Sequence, residues 1–530
     1  MKRRSSISAW LTLAALGAAG AQGVRDELVV GLGPYGYELH PYRSVYSHDM
    51  QILNALYEGL FSYDPETMEP VRAHAASFAK SPDGLSWTFT LRDGLRWSDG
   101  SAIVARDYVE SWLYLLHPDT KADFAVFLDA VKGARDYRTG RNDDPGSVGV
   151  SAQDDRTLIV ELESPTAYLT RLLCHASFAP VPPSMRVPRG AALGASGAPP
   201  QVSGGPYRLV SAAEGEIVME RDPLYWDAPS VAIPRLRFLF LEDEAEATGL
   251  YNDGEIHWLM DMADTELLWF QDDIQFGPNF GTGYYFWNAN ERPWNDARIR
   301  RALALLIPWE RIRSEERYFA PTATLILPFA GYESPAGIEA RDAAEAKALL
   351  ARAGYADPSR LPTLRLAVPG SPSHRENAEL IAAAWAEVGI RAELVFPTPG
   401  QSMDALREAG WDLSFSSWIG DFADPAAFLL MWTSDSSLNQ AGYRSRLYDE
   451  LVRESSATEG KERLAALARA EAKLLADAIV LPAYHSLSFD VINLELVRGW
   501  YVNPMDVHPF KALSFGQPKA RPFVAALQGE

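Results

Sequence analysis

Hydrophobic and polar positions along the chain alternate between two periods, and the switches mark the elements. Glu27-Leu28-Val29-Val30 reads as a strand start. Trp87-Thr88-Phe89-Thr90-Leu91 alternates with period two and turns at Asp93-Gly94, and Leu158-Ile159-Val160-Glu161-Leu162 is another short strand. Residues 107–116 place Val109, Trp112, Leu113 and Leu116 on one helical face. Between Pro180 and Pro206 the chain is rich in Pro, Gly, Ala and Ser, which predicts a surface loop or a crossing between lobes.

The most regular stretch lies between Asp342 and Asp424. Asp342 and Glu345 have capping-box spacing, and Ala346, Leu349, Leu350 and Ala353 continue a helix that Gly354 ends. Leu364, Leu366 and Val368 alternate as a strand. A stripe of Leu380, Ile381, Ala384, Trp385 and Val388 predicts a helix closed by Gly389, and Ala392, Leu394 and Phe396 make a second strand. A short helix around Met403 and Leu406 ends at Gly410, and Trp411, Leu413 and Phe415 begin a third strand. Strand–helix–strand–helix–strand with short links is a parallel α/β unit. Ligands sit beyond the carboxyl ends of such strands. The residues expected just past the third strand are Ser416 to Pro425, so Trp418 and Asp421 are the first candidates for ligand contact.

Other motifs narrow the chemistry. Gly31, Gly33 and Gly36 match a dinucleotide fingerprint by spacing, but that motif needs a helix to open there, and Pro41 forbids its interior. Cys174-His175 is no thiol–imidazole pair if both lie on a strand, where neighbours point to opposite faces; a buried structural Cys is the expectation. The nine His show no H-E-x-x-H and no pair at helical spacing, so no protein-built metal site is expected. No P-loop is present, and Glu242-Asp243-Glu244 with Glu246 predicts a solvated helix face.

Composition changes the picture in three places. Length, 530 residues, requires more than one lobe. The net charge of −21 argues against nucleic acid or an anionic membrane as partner, and a single Cys excludes an internal disulfide and a Cys-built cluster. Fifteen Trp, 22 Tyr and 22 Phe exceed what a core needs and predict an aromatic binding surface. Lys2, Arg3 and Arg4 precede an apolar run from Ala9 to Ala19, and Ala19-Gly20-Ala21 offers small residues for cleavage, so residues 1–21 read as a secretory signal peptide. No Cys follows the run to carry lipid. Cleavage removes three cations and no anions, so −21 becomes −24 for an exported, soluble periplasmic protein.

Taken jointly, several segments resemble the oligopeptide/dipeptide-binding proteins of ABC importers, bacterial extracellular solute-binding family 5. They are Leu56-Tyr57-Glu58-Gly59-Leu60-Phe61, Leu91 to Gly100, Gly204 to Tyr207, Arg221 to Trp226, Phe286 to Asn288, Pro293 to Asp296, Arg298 to Leu303, Trp418 to Pro425, and His508-Pro509-Phe510-Lys511. The resemblance implies an α/β, two-lobed periplasmic-binding-protein (Venus-flytrap, type II) architecture with an extra subdomain. Residues 24–47, 185–285 and 485–530 would form a discontinuous lobe I, residues 48–184 the subdomain, and residues 286–484 lobe II. It also implies peptide capture by hinge closure and delivery to permease subunits in the inner membrane, by a monomer with no cofactor, no nucleic-acid partner and no enzymatic activity.

By position, Asp421 would pair with the ligand's α-ammonium, since a cation enclosed between lobes needs a fixed counter-charge. The plainer alternative is that Asp421 caps a helix opening at Phe422 or Asp424. Trp418 would wall a side-chain pocket, or else pack in the core. Backbone of Ser417, Trp418 and Ile419, and of Tyr35, Gly36 and Tyr37, would pair with the peptide main chain as an added strand. Phe124 falls where relatives have a Tyr, Phe415 near an Arg, and Gly281 and Ile419 where some have a disulfide; Leu39-His40-Pro41 replaces "LDP". His374 falls near a peptide-terminus His, with a solvated helix start as its alternative, and His485 is a candidate for a nickel-chelate contact. Two rival classes stay open: a non-peptide ligand (nickel chelate, oligosaccharide, haem), and an exported hydrolase using Asp421, Asp424 or Glu58 as paired acids.

Overall fold

The computed structural model describes residues 26–517 except 35–36, 45–46, 187–201, 214, 314–318, 397–409 and 437. The signal-peptide expectation, the helix around Met403 and Leu406, and the candidates Tyr35 and Gly36 lie outside the described residues.

One 11-stranded sheet runs through the molecule. At one end, Leu364–Ala367 lies between Ala392–Val395 and Leu413–Ile419, parallel to both, with the helix Pro372–Ala386 on the crossover. The three strands and the first crossover helix read from hydrophobic periodicity are present, the strands parallel and side by side. Asp342 caps the helix Ala343–Arg352 by accepting from the amides of Ala344 and Glu345, at 3.0 and 2.9 Å. At the other end, Glu27–Leu32 is parallel to Arg235–Phe240, which continues antiparallel into Glu216–Arg221 and Tyr207–Ala213.

Two long antiparallel strands join the ends, Ile274–Trp287 and Val480–Ile492. Their register shifts between Pro278 and Thr282 and again between Gly283 and Tyr284. Among the described residues this pair joins the two halves of the sheet, and a register break bends the strand that carries it. A separate four-stranded sheet, ordered Ala75–Lys80, Ser86–Leu91, Thr157–Glu161, Val150–Ala152, carries the helix Ala105–Leu116. Apolar residues divide into clusters: one gathered around Trp287, Trp309 and Trp385, and a larger one that reaches from Leu28 to Leu513.

Several expectations need correction. The helix Ala105–Leu116 buries Tyr108, Ser111, Trp112 and Leu115, while Val109 and Leu113 are only half-buried. A polar residue enters that face because Ser111 Oγ accepts from Val181 N at 3.0 Å. That bond also draws the start of the Pro180–Pro206 stretch inward: Val181 and Met185 are core residues, not surface ones. Cys174 follows the helical turn Leu169–Leu172, not a strand; it is nonetheless buried, its thiol 3.3 Å from Thr170 O. The acidic run is exposed at the start of the helix Glu244–Asn252, as expected.

Candidate functional site

The strand Leu413–Ile419 is longer than its alternation predicts. Residues 281–287 hold it in antiparallel register along its whole length, with Gly281 opposite Ile419, Thr282 opposite Trp418 and Gly283 opposite Ser417. Ser416 to Ile419 therefore lie within the strand rather than past it. On the other edge, pairing with Leu364–Ala367 stops at Ser414. From Phe415 to Ile419 that edge carries backbone donors and acceptors with no strand partner among the described residues, a template for an added strand. Gly281 and Ile419 face each other closely, since a Cβ on Gly281 would lie 3.1 Å from the Ile419 side chain.

Past the strand, close packing leaves one placement for Asp421. Gly420 N donates to Phe280 O at 2.7 Å, and a Cβ at Gly420 would come within 2.5 Å of the Phe280 ring, so glycine is required for this approach. On the other side, the Phe422 ring stacks on Tyr168 at 5.2 Å and meets Phe127 edge-on at 5.7 Å. Asp424 is held by both Arg463 guanidinium nitrogens, at 2.6 and 2.8 Å, and accepts from Ala426 N at 2.9 Å. The helix Ala426–Leu429 is thus served by Asp424, and Asp421 does not cap it.

Asp421 is left as an anomaly. Its Oδ2 is buried and receives no hydrogen bond. Burial pushes its carboxyl well above the usual range, eased only by its own backbone N–H. Leaving such a group without a donor costs about 1–3 kcal/mol. Tyr63, a residue that sequence reasoning did not select, lies within electrostatic reach of Asp421, and its hydroxyl is also buried and unpartnered. Asp421 and Tyr63 thus each leave a buried polar atom unsatisfied, within electrostatic reach of each other.

The other candidates divide by location. Trp418 is half-buried and donates Nε1 to Ala427 O at 3.1 Å, which fixes its ring against the larger core. Ser417 is exposed and Ile419 half-buried. Phe124 is buried and stacks at 6.1 Å on Phe127, placing it one ring away from Phe422. Tyr37 stacks on Phe240 at 5.4 Å. His374 is not solvated: its ring meets Phe415 at 4.5 Å, Nδ1 is 2.6 Å from Ser371 Oγ, and Nε2 is buried without a partner. Phe415 also meets Tyr484 at 5.8 Å, so His374, Phe415 and Tyr484 form a second aromatic group at the strand's start.

His485 does not suit the nickel-chelate contact. It is buried behind the strand with Nδ1 3.0 Å from Thr282 Oγ1 and Nε2 3.3 Å from Thr324 Oγ1, which occupies both nitrogens. Burial lowers its pKa to about 4. Glu58 is equally committed: it accepts from Tyr225 Oη at 2.8 Å and Trp226 Nε1 at 2.7 Å, and pairs with Lys511. Burial opposes its charge, but Lys511 and His74 outweigh this and hold the carboxyl below its usual range. This hub joins three of the resembling segments, at residues 58, 225–226 and 511.

Residues 69–440 match the bacterial extracellular solute-binding proteins, family 5 Middle. The chain belongs to this family. It is 29% identical over 501 residues to the periplasmic oligopeptide-binding protein OppA of Escherichia coli, covering 90% of this chain and 89% of that one. Its fold is similar to the murein tripeptide binding protein MppA of Escherichia coli, with a TM-score of 0.78 at 27% identity, over 93% of this chain and 99% of that one. Against the unliganded open form of MppA the TM-score is 0.67, at 27% identity over 93% and 97%. These neighbours establish the two-lobed periplasmic-binding architecture for this family member. Residues of the 80–168 stretch also meet residues of the 422–459 stretch: Arg135 pairs with Asp435 at 2.5 Å, Lys80 with Glu459 at 2.6 Å, and Phe422 packs between Tyr168 and Phe127.

Proposed function

We propose that the chain captures peptides between two lobes and delivers them to an ABC importer, with Asp421 receiving the ligand's α-ammonium. A buried carboxylate oxygen with no donor carries this reading. A peptide N-terminus supplies both the missing donors and the missing charge, and Tyr63 Oη takes a second N–H. Next to it, the free edge of Phe415–Ile419 offers main-chain pairing that does not read sequence. Trp418 walls the adjoining pocket, and the aromatic group of His374, Phe415 and Tyr484 meets the far end of the ligand. OppA, MppA and the dipeptide-binding protein DppE of Bacillus subtilis are named for peptide ligands, which supports peptides over other solutes.

Residues 24–47, 185–285 and 485–530 act as one lobe and 286–484 as the other, with 48–184 as the subdomain. They close about the register break between Pro278 and Tyr284. Export proceeds through the signal peptide of residues 1–21, and the closed monomer docks on the permease without chemical change to its cargo. Only a difference in permease affinity between open and closed forms can couple capture to transport. Mass spectrometry of ligand released from natively purified protein tests this reading, together with calorimetry against a peptide pool before and after N-acetylation. Peptides should be released, and acetylation should abolish most of the binding heat; release of a non-peptide solute, or equal heats, would overturn it.

A further inference from the structure

A second orphaned carboxylate lies in the other half of the sheet. Asp490, on the strand Val480–Ile492, is 1% exposed. Its Oδ1 accepts from Trp258 Nε1 at 2.7 Å, while Oδ2 is buried and receives no N–H; the carboxyls of Asp490 and Asp506 lie within hydrogen-bonding reach of each other. Ligand atoms of Asp490, Asp506 and His508 lie within 4.8 Å of one another. Asp261 is close enough for its charge to act on Asp490. Two like charges brought together out of water repel, and nothing cationic among the described side chains of the cluster balances them unless His508 is protonated.

His508 serves a different purpose. Asn503 Nδ2 donates to Tyr501 O and Val507 O, at 3.2 and 3.1 Å, and its Oδ1 accepts from the amides of Met505 and Val507. Asn503 Nδ2 lies 3.4 Å from His508 Nδ1 with both its hydrogens already committed, and the imidazole proton is placed on Nε2 by Asp506 Oδ1, a carboxylate oxygen that accepts from it at 3.1 Å. Each carboxylate is therefore oriented by one N–H, from Trp258 and from His508, in the manner of the outer shell of a metal site. One ligand atom of each carboxylate lies within 4.8 Å of one of the other.

We propose that Asp490 and Asp506, with Asp261 at the rim, bind a hard divalent cation, calcium in an exported protein. An all-oxygen carboxylate set suits such an ion, and imidazole as an outer donor rather than a ligand disfavours zinc. The ion would tie the segment Tyr501–His508 to the sheet. That segment also holds the crossing strand, because Phe280 N donates to Pro504 O at 2.5 Å.

Titration of chelator-treated mature protein with calcium chloride by calorimetry, alongside thermal unfolding, tests the site, with magnesium and manganese as parallel probes. One ion per chain is expected, with a Kd on the order of 10⁻⁴ M, as for extracellular calcium modules, and a raised unfolding midpoint. Asp490→Asn keeps an oxygen for Trp258 and should weaken binding about tenfold or more; Asp506→Asn, on the loop, should do the same if the first variant folds poorly. Binding of magnesium or manganese instead supports the site and changes only the ion. No heat with any of the three, binding untouched by both substitutions, or a midpoint that follows pH and ignores metal would overturn the proposal, the last in favour of a proton shared between Asp490 and Asp506.

Discussion

Replacing Asp421 with Asn separates charge from shape at the proposed ammonium site. The amide keeps the volume, so Gly420, Phe422 and Asp424 retain their anchors. What disappears is the attraction between an enclosed cation and a carboxylate. At about 4 Å and an effective dielectric near 20 this is worth about 4 kcal/mol, and removing one partner of a buried pair costs about 3–5 kcal/mol. Peptide affinity should therefore fall by roughly two to three and a half decades. Stability without ligand should stay the same or rise, because a buried group with no donor has been neutralised. Calorimetry with one peptide in free and N-acetylated forms, on both proteins, closes a double-mutant cycle. Wild type should discriminate strongly between the two forms, and Asp421→Asn hardly at all.

The raised carboxyl adds a sign. Burial holds Asp421 protonated well above its usual range, and an ammonium selects the ionised form. Binding should release a proton, and affinity should drop about tenfold per pH unit below the unliganded pKa. Equal affinity of both proteins for the free peptide, or affinity that climbs as pH falls, would refute the reasoning.

Four further outcomes follow from the same geometry. Tyr63→Phe should weaken free-amine peptides by about 1–2 kcal/mol and leave acetylated ones unchanged, measured by the same calorimetry. Gly420→Ala forces a methyl against the Phe280 ring and should cost about 1–3 kcal/mol in denaturant unfolding, with weaker peptide binding because Asp421 shifts. Lys511→Met strands the Glu58 carboxylate, 6% exposed, and should cost about 3–5 kcal/mol, largely restored by adding Glu58→Gln. His40, His74, His175 and His485 have pKa values lowered from 6.5 to about 4, chiefly by burial. Each is neutral when folded and protonates on unfolding, so stability present above 6.5 is lost as pH falls toward 4, by up to about 1.4 kcal/mol per pH unit for each; His485→Asn should flatten a calorimetric stability–pH profile by one such step.

Local periodicity and capping made the Leu364–Ile419 unit legible, because Asp342, Gly354 and Gly389 punctuate it and its strands are neighbours in sequence. The end of the last strand was misread, since its partner at residues 281–287 is more than a hundred residues away and supplies a ladder that alternation cannot reveal. Tyr63 was missed for the same reason: its relation to Asp421 spans most of the chain, and no local pattern marks it. His485 was chosen as a lone histidine, but whether its nitrogens are free depends on Thr282 and Thr324, again remote in sequence. Histidine spacing also cannot show that Asp490, on a strand, meets Asp506 and His508 from a later loop.

The three acids that made an exported hydrolase conceivable now separate by what each carboxylate already holds. Glu58 is saturated by Lys511, Tyr225 and Trp226, and Asp424 by Arg463 and the Ala426 amide. A carboxylate bound several times over by its own fold is committed to holding that fold together. Acid–base cleavage of a glycan needs two free carboxyls facing one bond, with one raised pKa and one ordinary. Of the three candidates here only Asp421 is free, and no second acid among them stands opposite it. The proposed ammonium contact needs only one such carboxylate, with an oxygen that has no donor, beside an open strand edge.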